Sequence, residues 1–233
     1  MKRLMVGIVA VLMMACVAPQ VAQPQILSAV NGQSVEPNAY QIRLNFVVFE
    51  DEIAQSPNIT KAFQAALNEW VEHLPLECLI FVEKSSPFLF VPFGPDITSE
   101  QPGIVRVHMV DIHIAPYSMP VGILGYWNWK ENALVLDKGM LENDPDKAYM
   151  VCLHELGHVL GLPHFVNQHD LGALSGWIVI PDEFDAKQTV MCPVSSDSNK
   201  HAKLSQLEIS LAQKNLLGLQ QLSHNDCFHW TSR

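Results

Sequence analysis

The chain has 233 residues, 48% of them hydrophobic, enough for one large domain or two small ones around a sizeable packed core. A formal net charge of −10 argues against nucleic acid as a partner and equally against an anionic membrane surface. The acidic residues are scattered and form no tail.

Lys2 and Arg3 precede an apolar run from Leu4 to Ala15 that ends at Cys16. A charged start, a short apolar stretch and a small residue before the break read as a secretory signal over residues 1–16. The run is short for a membrane span. Met13-Met14-Ala15-Cys16 resembles a bacterial lipoprotein cleavage site, with Met13 where leucine is usual. On that reading Cys16 becomes the lipidated first residue and attaches the protein to a membrane. Otherwise the protein is periplasmic or secreted. Four further cysteines remain, Cys78, Cys152, Cys192 and Cys227, an even number in a compartment that permits disulfides. Three pairings are open, and small buried thiols are the alternative.

Residues 17–40 carry Pro19, Pro24, Gly32 and Pro37 with little periodicity and read as a linker or lead-in. Ile42, Leu44, Phe46 and Val48 then alternate as in a half-buried strand. Ile59, Ala62, Phe63, Ala66, Leu67, Trp70, Val71 and Leu74 recur at helical spacing. Ser56 is the expected cap, Pro57 suits the first turn and Pro75 marks the stop. Leu79 to Val82 read as a strand, residues 85–102 as a proline-rich loop, and Val105, Val107 and Met109 as a third strand. A long connection over 115–132 holds GILGYWNW, and Ala133 to Leu136 form a further short strand.

Asp144-Pro145 opens the next helix with a capping side chain and a first-turn proline. Its apolar residues lie on most faces, so it is expected to be deeply buried. Gly161 should end it in the left-handed conformation. Near the end, Ser205 and Glu208 form a capping box, Leu204 and Ile209 are placed for a hydrophobic staple, and Gly218 is the expected stop. One α+β domain over residues 41–233, after a signal and a lead-in, is the expected organisation.

Residues 152–165 read CLHELGHVLGLPHF. His154 and His158, four apart on a helix, project from one face about a turn apart, so both imidazoles can reach one zinc ion. Once Gly161 breaks the helix, His164 can return as a third ligand. Three protein ligands leave a fourth position open, the arrangement of a catalytic zinc. Glu155, beside His154, is the candidate general base.

HELGHVLGLPH resembles the zinc motif of the metzincin clan of peptidases, and within it the matrixin-like members, at three histidines, the glutamate and the glycine. The clan places a methionine in a tight turn beneath the metal. Met191 in Thr189-Val190-Met191-Cys192-Pro193 matches it. The resemblance covers roughly residues 40–218. It implies a twisted mixed sheet with a long helix, a zinc-site helix and a C-terminal helix after the turn. It also implies one catalytic zinc, and a protein or peptide substrate lying along the edge near Ile123 to Trp129. A monomer is expected.

The chain departs from the family in four places. Phe165 follows the third histidine where matrixins commonly have serine, and the segment from Phe165 to Gln188 is long. Astacins and serralysins of the same clan carry a tyrosine shortly after the turn methionine, and Cys192-Pro193 offers none, so that fifth ligand is absent. His108, Asp111 and His113 resemble the second-metal loop of matrixins only faintly, and ligands so close on a strand would alternate faces. His224, Cys227 and His229 cluster near the C-terminus with no fourth ligand. The alternative function is a non-catalytic zinc-binding surface or periplasmic protein with a peptidase-like fold.

Overall fold

The structure, a computed structural model, describes residues 25–31, 42–84, 104–114, 117–167, 177–180, 185–192 and 203–223. Along the chain follow β1 (Gln25–Asn31), β2 (Ile42–Phe49), α1 (Glu50–Gln55), α2 (Pro57–His73), β3 (Leu76–Glu83), β4 (Ile104–Val110) and β5 (Gly125–Asn128). Then come β6 (Ala133–Asp137), α3 (Lys138–Leu141), α4 (Pro145–Val159), β7 (Phe165–Asn167), β8 (Ile178–Ile180), a 3-10 turn at Ala186–Gln188 and α5 (Gln206–Ser223). Among the described residues this is a mixed α+β arrangement with five helices, the class expected.

Six strands form one sheet in the order β1-β3-β2-β4-β6-β5. The four inner strands run parallel, and the outer strands β1 and β5 run antiparallel to their neighbours. Alternation in β4 buries Val105, Val107 and Met109 while Arg106 and His108 stay half-buried. Both faces of β6 are covered. Leu134 and Leu136 join the main core, and Ala133 and Val135 pack with Ile112 in a smaller one.

The apolar face of α2 enters the main core through Ile59, Phe63, Leu67 and Trp70. The Phe63 ring meets Phe46 of β2 edge-on, centroids 5.4 Å apart. The buried Trp70 indole donates to the Leu153 carbonyl at 3.0 Å, which ties α2 to α4 without leaving a polar atom unsatisfied.

Several expectations are corrected. Ser56 stands at the N-cap of α2, but its side chain makes no cap. Instead the Glu142 carboxylate accepts from the Asn58 and Ile59 amides at 3.1 and 3.2 Å, so the first-turn donors are satisfied from a distant element. α5 runs past Gly218 to Ser223. A glycine inside a helix costs about 1 kcal/mol but ends nothing by itself. Cys78 and Cys152 are free, buried thiols, so the four-cysteine disulfide framework does not form. Burial pushes the Cys78 thiol up to about 12. Residues 25–31 of the lead-in add an edge strand. β7 and β8, a parallel pair, occupy part of the long segment after His164. The signal with Cys16, and the His224, Cys227 and His229 cluster, lie outside the described residues. No described helix is long and apolar enough to cross a membrane.

Candidate metal centre

The site is built on the C-terminal half of α4. The Asp144 carboxylate accepts from the Lys147 amide at 3.1 Å, and Pro145 fills the first position. At the other end Gly161 takes φ +80. Its amide donates to the His158 carbonyl at 2.9 Å, and the Leu162 amide donates to the Gly157 carbonyl at 2.9 Å. This paired closure satisfies the last carbonyls and turns the chain back. From α5, the Asn215 side-chain amide donates to the Leu160 and Gly161 carbonyls at 3.3 and 3.0 Å.

His164 thereby returns to face the helix. Its Nε2 lies 3.2 Å from Nε2 of His154 and 3.1 Å from Nε2 of His158. The His154 and His158 ring centroids are 4.7 Å apart, so spacing four on one helix face does bring both imidazoles together. At Nδ1, His154 donates to the Val190 carbonyl and His158 to the Leu162 carbonyl, each at 2.7 Å. Those bonds assign the ring protons to Nδ1 and leave the Nε2 lone pairs directed at one another. His164 has at most one Nε2 proton to give, so it cannot satisfy both neighbours.

A cation would resolve the arrangement. Zinc held by nitrogen at about 2.0–2.1 Å in a tetrahedral site separates its ligand atoms by roughly 3.3 Å, close to the spacing found. The three ligand atoms all lie within 4.8 Å of one another. Burial also keeps the rings neutral, as metal ligands must be. It holds His154 down at about 3, with the neighbouring His158 adding to the effect, and His164 at about 4. His158 is lowered by burial too.

Glu155 is 6% exposed and belongs to the buried face of the helix. Its Oε2 has no hydrogen-bond partner, while the Trp127 amide of β5 donates to the carboxylate. Burial pushes its carboxyl up to about 8. An orphaned carboxylate oxygen beside an imidazole ligand suits a group that handles protons on a bound water.

Met191 is fully buried, with its sulfur packed on the backbone between the two helical histidines. A Cβ at Gly157 would lie 2.3 Å from the Met191 sulfur and 3.5 Å from Trp70. Gly157 is therefore required by close approach, and Gly125 stands in a tight place, where a Cβ would lie 3.1 Å from Cγ1 of Val151 and 3.2 Å from Cγ of Glu155. The sequence carries both glycines without marking their role. A glycine inside an otherwise apolar helix was the signal available for Gly157. Trp177 was also missed. Its ring meets that of His164 at right angles, 5.4 Å away, from the far side of the long segment after Phe165.

All five site residues expected from the sequence, His154, Glu155, His158, His164 and Met191, thus belong to one neighbourhood. His108, Asp111 and His113 do not gather. His108 lies against Glu52 at 3.3 Å and stacks on Phe49. His113 Nε2 is 3.0 Å from the buried Asp137, and its amide donates to Asp111 at 3.1 Å. Phe165, in place of the serine, is fully buried, and its amide donates to the Met191 carbonyl at 2.9 Å. The chain matches no protein-family model and no curated protein.

Proposed function

We propose that this chain is an exported zinc-dependent endopeptidase of metzincin type, matrixin-like in its site, with Glu155 as general base. The observation that carries the reading is the convergence of three Nε2 atoms at 3.1–3.2 Å, two of them on rings held by backbone carbonyls, next to a buried carboxylate with an unpartnered oxygen. Element order supports it as well. A strand, a long helix, further strands, an antiparallel edge strand, the histidine helix, a methionine turn and a final helix follow one another as that clan would have them.

His154, His158 and His164 would hold the ion and leave its fourth position open; a structural zinc would ordinarily take four protein ligands. When bound, zinc supplies Lewis acidity, which acidifies water and polarises a carbonyl. Glu155 takes the proton of the attacking water and returns it to the leaving amine. Burial raises the Glu155 carboxyl in the metal-free protein, and a bound divalent cation would draw it back toward the ionised form that a base needs. The Trp127 amide fixes the carboxylate against β5, and the substrate backbone lies extended along that edge strand by strand addition. Export follows from the basic and apolar N-terminal segment, with attachment through Cys16 if it is lipidated.

Peptide-library cleavage by residues 24–233, with zinc quantified in the same sample, tests the proposal. The parent should cleave, and Glu155→Ala should keep its zinc while losing at least about 10²-fold in rate. One zinc per chain with no cleavage by the parent would favour a non-catalytic zinc-binding surface protein instead.

A further inference from the structure

We propose that Glu208, the first-turn glutamate of α5, is a positioning residue for the imidazole group, acting through the turn at 189–192. The inference rests on the zinc reading above. The Glu208 side chain is fully buried. Its Oε2 accepts from the Ser205 amide and hydroxyl, both at 2.8 Å, which is the helix cap. Its Oε1 accepts from the Met191 amide at 2.9 Å, and the Val190 amide donates to the same carboxylate.

Helix capping accounts for only one of these oxygens. A glutamine would serve the cap as well. It would, however, offer one acceptor oxygen and turn an NH₂ donor toward the other set of donors. Only a carboxylate can accept on both sides at once.

The turn held in this way touches the centre at three points. The Val190 carbonyl accepts from Nδ1 of His154 at 2.7 Å. The Met191 carbonyl accepts from the Phe165 amide, next to His164, at 2.9 Å. The Met191 sulfur packs against Gly157, between His154 and His158. Glu208 touches none of the imidazoles, yet it fixes the peptide that orients one and backs the others. Loss of such outer partners typically weakens metal binding about 10- to 100-fold.

The test is zinc affinity by chelator competition in Glu208→Ala and Ser205→Ala, read beside thermal stability and the imidazole N–H signals of the metal-free proteins. Ser205→Ala removes the cap hydroxyl and leaves the turn its acceptor. Both variants should melt lower. Glu208→Ala alone should bind zinc about 10- to 100-fold more weakly. It alone should also lose the slowly exchanging Nδ1–H signal of His154. Unchanged affinity in Glu208→Ala, or an equal loss in Ser205→Ala, overturns the proposal. Should Glu208→Ala not fold, Glu208→Gln is read in the same way, and unchanged affinity in it counts equally against the proposal. If the parent itself binds no zinc, the zinc reading fails, and the His154 signal still decides whether Glu208 positions that ring.

Discussion

Single side chains in the centre titrate in opposing directions, and the metal-free protein should reveal both. The three histidines are held below their ordinary 6.5, two of them near 3 and 4. As pH falls below about 6.5 the unfolded chain therefore binds protons that the folded chain refuses, and stability drops. Glu155 is held up at about 8, from 4.5. Between those values the folded chain keeps a proton that the unfolded chain releases, so stability drops as pH rises through that window. Glu208, raised mainly by burial, acts in the same sense as Glu155. In the overlap three imidazoles outweigh the carboxyls, which puts the maximum near neutrality. Urea midpoints across the pH range in the presence of chelator should show a fall on both sides. Glu155→Gln should flatten the alkaline limb and spare the acid one; an unchanged alkaline limb would remove Glu155 as its source.

Helix ends were the most legible elements, because their signals are local. Asp144-Pro145, Gly161 and the Ser205–Glu208 pair each act within one turn, and all form the contacts that their spacing implies. Asp144→Ala should cost about 1 kcal/mol, read as a shift in denaturant midpoint without loss of zinc. The cap of α2 was not legible. The carboxylate that accepts from its first turn, Glu142, lies 83 and 84 residues away, and no local pattern announces it. The short ladder of β7 and β8 was equally hidden, since three-residue strands show no period. Gly157 marks where an element's interior meets another. Gly157→Ala should gain the usual helix preference of alanine yet lose about 1–3 kcal/mol to overpacking against Met191. Pairing it with Met191→Val should recover part of that loss, and a double-mutant cycle reads the coupling. Simple additivity would mean that the two residues do not compete for the same space.

The molecule as a whole places its two outer strands at opposite ends of one sheet, and only β5 adjoins the histidine helix. The prolines and glycine of the lead-in mask any alternation and give it the look of a linker, whereas residues 25–31 pair with β3 from Gln25↔Val82 to Asn31↔Glu77. A chain lacking residues 1–24 keeps that pairing whole and serves as the reference. Removal of residues 1–31 strips that pairing and bares the edge of β3, so the melting temperature should fall, by about 2–4 °C for each kcal/mol lost, and self-association should rise in sedimentation. Zinc content should be equal in the two truncations, because the centre lies toward the other end of the sheet. Along the chain the centre is spread unevenly. His158 finds its orienting carbonyl four residues on, while His154 finds its own at Val190, 36 residues on. A chain that has left the ribosome only as far as His164 already carries all three imidazoles and the carbonyl that orients His158, but the partner of His154 has yet to be synthesised. The centre is thus divided along the chain, with a local half complete by His164 and a distant half that waits for Val190.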